Sequence, residues 1–226
     1  MMRGTRMRRG KHALGRQSLL LLLCGGAALA EDIPSAVGRI SYGDTPAPGA
    51  AICTGVLVAP DLVLTAGHCV RTMADDPAVI RFDAGWIDGR PAGRGQGAKV
   101  LLEGSDGPAE DIALVVLEAP FSAEVASPLP LASPATGEFT LHAFRRDVPD
   151  HPAEPSTCNQ ITALPGLLGL DCPAVSGNSG APLLQRVEGG WQVVAVMVAA
   201  SDTGPIRSWA TLPPEWVLQR SPFPLE

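Results

Sequence analysis

The sequence predicts an all-β protein. Of its 226 residues, 46 % are hydrophobic and 18 % are charged, and 25 glycines and 22 prolines are spread along the chain. A chain of this composition can bury a core and must contain many turns. Its apolar runs are short, evenly spaced and free of internal repeats, which favours a β-barrel or β-sandwich over a helical architecture.

Residues 1–30 have the composition of a secretory signal peptide. Six bases and no acid lie in residues 1–16, an apolar run extends over residues 19–30, and residues 28–30 (Ala-Leu-Ala) offer a small-x-small cleavage site. The run is short for a membrane span. We therefore predict a secreted or periplasmic protein with no stable membrane insertion after removal of the signal.

A lipid anchor at Cys24 is an alternative to a cleaved signal. Leu23 stands before this cysteine, where a small residue is normally required. The signal-peptide interpretation is therefore preferred.

Removal of residues 1–30 would leave 11 basic and 23 acidic residues, a net charge near −12. Such a surface repels phosphate backbones, so we expect no nucleic-acid partner. The basic N-terminal run is then a targeting feature. No cofactor is implied by the sequence, and we expect a monomer.

Four cysteines follow the predicted signal, and an even number in an exported chain indicates two disulfides. Three connectivities are open, of which we favour the local pairs Cys53–Cys69 and Cys158–Cys172. Each would close a loop of about 15 residues, worth about 3 kcal/mol in the chain-entropy model. A metal site is the competing interpretation because His68 adjoins Cys69. The spacing fits no usual zinc pattern, so we predict no metal.

Turn residues divide the chain into short predicted strands. Residues 51–58 and 62–65 should form a hairpin, followed by a short helical turn at 66–70 that presents His68. Further strands are predicted at residues 79–82, 98–103, 112–117, 139–144, 156–164, 181–185 and 191–200.

Other segments are predicted to lack strands. Residues 31–50 should lie along the surface, residues 88–97, with four glycines, should form a loop, and residues 118–137 should connect two lobes. Residues 213–220 predict a short C-terminal helix with proline in its first turn.

Three segments carry residue types that suit nucleophilic catalysis. They are Leu-Thr-Ala-Gly-His-Cys at 64–69, Asp-Ile-Ala-Leu at 111–114 and Gly-Asn-Ser-Gly-Ala-Pro at 177–182. A serine hydroxyl needs a base within hydrogen-bond reach, and that base needs a group that holds its tautomer. The segments supply His68, Asp111 and Ser179 for these roles.

Each candidate also has a structural interpretation. A lone histidine such as His68 is more often structural, Asp111 could be a strand-end residue, and residues 177–180 could be an ordinary tight turn. His68 nevertheless ends an apolar strand beside a cysteine, whereas His142 suits an ordinary strand position and His151 a solvated turn. An acid leading into a buried strand is also costly unless it has a partner.

The glycines around Ser179 suggest how a reaction site could form. Gly177 and Gly180 permit close backbone approach and unusual φ angles, so the turn can expose the hydroxyl. The N–H groups of Gly177 and Ser179 can then point to one spot and form an oxyanion hole.

Residues 53–69, 111–114 and 177–182 resemble, in order and spacing, the trypsin-like (chymotrypsin-fold) serine proteases, particularly bacterial exported ones. The resemblance covers most of residues 51–200. It implies two six-stranded antiparallel β-barrels with the active site in the cleft between them. We place these barrels at residues 31–125, with His68 and Asp111, and at 126–226, with Ser179.

The resemblance also implies roles for individual residues. Ser179 would be the nucleophile, His68 the general base and then acid, and Asp111 the carboxylate that orients the histidine. Residues 195–200 would pair with the backbone of a protein or peptide substrate. The residues expected at the primary pocket are uncharged, which favours a small or apolar substrate side chain: Pro173, Ala174, Val198, Ala199 and Ala200.

The sequence departs from the animal members of this family at Asn178. Those members have aspartate there, which pairs with a new N-terminal ammonium and orders the site. An amide cannot supply that charge, and Ala36-Val37-Gly38-Arg39 is only a faint echo of the usual cleavage site. We predict that no ion-pair switch activates this protein.

Two other functions compete with a serine endopeptidase. A catalytically inactive binding module could retain the same fold, although the complete set of three residues argues against it. An esterase on another scaffold would favour a Gly-x-Ser-x-Gly elbow and the order Ser, Asp, His. This chain has the order His, Asp, Ser and alanine at position 181.

Overall fold

The computed structural model describes residues 1, 2, 4, 34–43, 50, 52–104, 107–133, 137–202 and 204–223. Residues Ile33–Glu226 form one unit, and it contains two closed, antiparallel, six-stranded β-barrels. The predicted fold class is confirmed. Most of the predicted signal peptide, including Cys24, lies outside the described residues. None of the described helices is long and apolar enough to cross a bilayer.

The first barrel closes in the order β1-β2-β3-β6-β5-β4. Its strands are Val37–Tyr42 (β1), Cys53–Ala59 (β2), Leu62–Thr65 (β3), Ile80–Ile87 (β4), Arg90–Leu102 (β5) and Ala113–Leu117 (β6). All residues of β2 and β3 are buried, as their apolar sequence predicts. A single helical turn, Gly67–Val70 (α1), follows β3 where the sequence predicted one.

The second barrel closes in the order β10-β11-β12-β9-β8-β7. Its strands are Glu138–Leu141 (β7), Ser156–Leu164 (β8), Leu167–Leu170 (β9), Pro182–Val187 (β10), Gly190–Ala200 (β11) and Ser208–Thr211 (β12). A short helix, Glu215–Leu218 (α2), lies near the C-terminus. The Cys158–Cys172 disulfide links β8 to the segment after β9, and it is the predicted pair.

The first barrel differs from the prediction in two segments. Residues 37–42, expected on the surface, form the buried strand β1, which pairs with both β2 and β4. The predicted loop at 88–97 belongs largely to the long strand β5. Its glycines serve close approach: a Cβ on Gly93 would lie 2.7 Å from Phe121, and one on Gly97 would lie 2.5 Å from the Pro77 carbonyl.

Candidate active site

His68 and Asp111 are brought together by the pairing of β3 with β6. The register places Thr65 opposite Ala113, so the residues that follow β3 and those that precede β6 leave the barrel side by side. Asp111 accepts a 2.7 Å hydrogen bond from the backbone N–H of His68 through Oδ1, and its Oδ2 lies 2.5 Å from His68 Nδ1. The carboxylate therefore holds both the backbone and the ring of the histidine.

Burial differs between the two partners of this pair. The Asp111 side chain is 12 % exposed, whereas the His68 side chain is 48 % exposed. Because a carboxylate only accepts, Nδ1 of the neutral imidazole carries the proton and Nε2 is the basic nitrogen. The arrangement leaves a fixed histidine whose ring remains accessible.

The backbone next to His68 is tied at a second point. Cys69 forms the predicted disulfide with Cys53, and its carbonyl accepts a 2.7 Å hydrogen bond from the Tyr42 hydroxyl. Burial raises the pKa of Tyr42 to about 12, which keeps this donor protonated. The ligand atoms of Cys53, His68 and Cys69 lie within 4.8 Å of one another, but the disulfide removes both thiolates a metal would need.

Ser179 lies on a turn of the second barrel that contacts the first barrel; residues 176–180 are called the serine turn below. The Thr54 N–H donates a 2.8 Å hydrogen bond to the Ser179 carbonyl. A Cβ on Gly180 would lie 2.1 Å from Thr65 Oγ1 and 3.0 Å from the Ala66 nitrogen. The serine turn therefore lies against the strand end that leads into His68, and only glycine permits this approach.

The Thr54 hydroxyl connects the serine turn with a second loop. It donates a 2.8 Å hydrogen bond to the Gly177 carbonyl and accepts one of 2.9 Å from the Phe144 N–H. Thr54 is fully buried. Sequence reasoning did not identify this residue, because its role depends on partners 90 and 123 positions away along the chain.

Two backbone N–H groups of the serine turn are available as donors. The Ser176 carbonyl accepts a 2.8 Å hydrogen bond from Arg146 N–H, and in a trans peptide the Gly177 N–H points the opposite way. Within the described part of the chain, neither the Gly177 N–H nor the Ser179 N–H has a hydrogen-bond partner. Gly177 has φ of +102°, a conformation that favours glycine.

Asn178 is buried and satisfied without an ion pair. Its Oδ1 accepts a 2.8 Å hydrogen bond from the Val175 N–H, and its Nδ2 donates one of 3.1 Å to the Phe144 carbonyl. This environment supplies one donor and one acceptor, which is what an amide requires and a carboxylate could not match.

A cavity of about 520 Å³ opens beside Ser179. The described residues of its lining carry no charged side chain: Ala174, Val175, Ser176, Ser179, Met197, Val198, Ala199 and Ala200. Four of the five predicted pocket residues are among them. Pro173 instead lines a separate cavity of about 200 Å³ together with Asn178.

The two other histidines after the predicted signal peptide lie elsewhere, as the sequence predicted for an ordinary strand residue and a turn residue. His151 is exposed. His142 is fully buried, with its ring 6.1 Å from that of Trp191, and neither ring nitrogen finds a hydrogen-bond partner among the residues described. Burial lowers the pKa of His142 to about 4, so this histidine is neutral near pH 7.

Comparison with known proteins gives the family. A sequence model of the family described as Trypsin matches residues 24–145, more than half of the chain, and no curated protein matches the sequence. A solved Glu endopeptidase in complex with MPD has a TM-score of 0.65 at 18 % identity, covering 82 % of this chain and 87 % of its own. A scabies mite inactivated protease paralogue, S-D1, also has a TM-score of 0.65, at 13 % identity, covering 82 % and 90 %. The chain belongs to the trypsin family.

Proposed function

We propose that the chain is a bacterial, secreted or periplasmic serine endopeptidase that acts through Ser179, His68 and Asp111. The double contact between Asp111 and His68, at 2.7 and 2.5 Å, is the observation that carries the proposal. A carboxylate held in this way fixes both the tautomer and the direction of the imidazole. The two disulfides agree with an oxidising compartment.

The proposed reaction has two stages. Ser179 Oγ attacks the peptide carbonyl carbon while His68 Nε2 takes the hydroxyl proton, and His68 then returns that proton to the leaving amine. Water next attacks the acyl-enzyme, with His68 again as base, and restores the free serine. Asp111 stabilises the imidazolium that forms in each stage.

The negative charge on the carbonyl oxygen would be stabilised by the N–H groups of Gly177 and Ser179. Their lack of protein partners in the described residues supports this role, since an oxyanion hole needs donors that are not already committed. The edge at residues 195–200 would pair with the substrate backbone.

The cavity beside Ser179 supports a preference for small or apolar substrate side chains. Among the lining residues that the structure describes, no carboxylate could pair with lysine or arginine, and no basic side chain could pair with an acid. A peptide library that varies the residue before the cleaved bond should show highest kcat/KM for small or apolar residues. A strong preference for lysine, arginine or glutamate would contradict this assignment.

The bonding of Asn178 supports the proposal that no new N-terminal ammonium is needed for activity. Its side-chain amide is already paired with Val175 and Phe144. An enzyme extended upstream of residue 31 should be active without cleavage. Activity that appears only after trimming behind residue 36 would contradict this expectation.

A fluorophosphonate probe tests the proposed function directly. The wild-type protein should be labelled at Ser179, and both Ser179→Ala and His68→Ala should abolish labelling while their thermal unfolding remains cooperative. A folded wild-type protein that takes up no probe would instead support a non-catalytic binding module. The scabies mite paralogue with a similar fold is itself described as inactivated.

A further inference from the structure

The serine turn rests on a second loop, residues 144–149, which we call the anchoring segment. The Phe144 carbonyl accepts a hydrogen bond from Asn178, and the Arg146 N–H donates one to the Ser176 carbonyl. Contact between the two loops is close: a Cβ on Gly177 would lie 2.7 to 2.9 Å from Arg146 N, Phe144 O and Arg145 Cα. A shift of the anchoring segment must therefore move the serine turn.

The anchoring segment is not held by a β-ladder of its own barrel. It belongs to the connection between β7, which ends at Leu141, and β8, which begins at Ser156. Most of its side chains are exposed. Apart from its bonds with the serine turn, the segment is contacted by residues of the first barrel.

Arg39 on β1 is the first element of that support. Its guanidinium donates a 2.8 Å hydrogen bond to Asp83 and one of 2.6 Å to the Pro149 carbonyl. Asp83 is fully buried and also binds Arg94. A buried carboxylate with two cationic partners is a fixed point, so Arg39 ties the far end of the anchoring segment to the first barrel.

Trp86 on β4 is the second element. The Arg39 guanidinium carbon lies 5.0 Å from the centre of the Trp86 ring, and the rings of Trp86 and Phe144 are 5.0 Å apart. The indole N–H donates a 3.0 Å hydrogen bond to the Asp83 carbonyl, which fixes the ring plane. Trp86 thus contacts both Arg39 and Phe144, the residue whose carbonyl accepts the Asn178 hydrogen bond.

We propose that Arg39 and Trp86 are positioning residues for the serine turn and that they act through the anchoring segment. This inference rests on the proposed function, because the turn matters only if Ser179 reacts. The pair would order the site within an uncut chain, by contacts that exist as soon as the barrels dock. Substitution of either residue should lower kcat and leave KM nearly unchanged, since the oxyanion donors act on the transition state rather than on substrate binding.

Trp86→Leu and Arg39→Lys test the proposal. Leucine removes the aromatic ring without changing the charges around Asp83, and lysine keeps a cation there but loses the planar fork that also reaches Pro149. Each variant should lower kcat about 10- to 100-fold, the range expected for a misplaced catalytic group, with KM within about threefold. Arg94→Lys is the matched control, because it changes another cation on the same carboxylate, and it should leave kcat within about threefold.

Amide hydrogen exchange provides a readout that does not depend on catalysis. The Phe144 and Arg146 N–H groups, which bond Thr54 and Ser176, should exchange at least about tenfold faster in Trp86→Leu and Arg39→Lys than in Arg94→Lys. Unchanged exchange in both variants, or equal acceleration in the control, would overturn the proposal. A wild-type protein with no turnover would refute the proposed function, and the exchange result would still decide whether Arg39 and Trp86 hold the anchoring segment.

Discussion

The two halves of the candidate site are supported in different ways. His68 and Asp111 leave paired strands of one barrel and bond each other directly, and the Cys53–Cys69 disulfide ties the backbone beside them. Ser179 instead lies on a turn whose contacts run to β11, to other loops and to the first barrel. The position of His68 and Asp111 is set by strand pairing within one barrel, whereas the position of Ser179 depends on how the two barrels contact each other.

This difference predicts that substitutions at the two halves of the site have different effects. A change at the His68–Asp111 contact should remove one chemical function and leave the surrounding barrel intact. Changes around the serine turn should act indirectly, because Thr54 and Phe144 hold the turn, and Gly180 within it permits its close approach to the first barrel, without taking part in a reaction.

Asp111→Asn should have the largest effect, a fall in kcat of about 10⁴-fold with unchanged fold. The amide can still accept a hydrogen bond from the His68 backbone, but its NH₂ group would face Nδ1 and favour the tautomer with the proton on Nε2. Steady-state kinetics with a peptide ester, beside a thermal unfolding curve, measures both quantities. A loss below tenfold would mean that Asp111 does not orient the base.

Gly180→Ala should have the next largest effect, at least about 100-fold in kcat. The new Cβ would lie 2.1 Å from the Thr54 carbonyl oxygen and from Thr65 Oγ1, at a φ of +82°, so the serine turn must move away from the first barrel. Gly204→Ala is the control, because φ there is +64° and no described atom lies within 4 Å. It should cost only the strain of a left-handed residue, about 1–2 kcal/mol of stability. If Gly204→Ala lowers kcat as much as Gly180→Ala does, contact of the serine turn with the first barrel does not explain the loss.

The sequence predicted the fold through its family resemblance, and it named His68 and Asp111, which the structure brings into contact. The motif around His68 lies on an apolar hairpin, and strand pairing then fixes its neighbour at Asp111. The sequence did not indicate β1, β9 or β12, three short segments that are strands through their pairing with neighbours in the closed barrels. The supports of the serine turn were missed for the same reason, since Arg39 and Trp86 contact it through residues more than 50 positions away.

His142 lies two residues before Phe144 and offers a pH-dependent way to disturb the second half of the site. Its pKa is about 4 in the folded protein and about 6.5 when unfolded, so the unfolded chain binds more protons between these values. The free energy of unfolding should therefore have its full value above pH 6.5 and fall by about 3 kcal/mol as the pH drops to 4. Urea unfolding of Ser179→Ala across pH 4–7 measures this without self-digestion.

The control for that experiment is a pair of variants. His142→Met should remove most of the fall in stability between pH 6.5 and 4, because the buried titrating group is gone. His151→Gln changes an exposed histidine and should leave the pH dependence of the free energy of unfolding as it is in the parent protein. If the free energy of unfolding still falls by the same amount in His142→Met, other titrating groups cause the pH dependence.

Thr54→Val should have the smallest effect, yet it tests the contrast most directly. Valine keeps the shape of threonine but leaves the Gly177 carbonyl and the Phe144 N–H without their buried partner, at a cost of about 2 kcal/mol and about tenfold in kcat. Ser208→Ala removes another buried hydroxyl, which donates to the Cys172 carbonyl at 2.6 Å inside the second barrel. It should lower stability by a similar amount while kcat stays within about twofold, and Thr54→Ser should recover most of both losses. If Ser208→Ala lowers kcat as much as Thr54→Val does, general loosening of the protein explains the effect, and docking between the barrels does not set the position of Ser179.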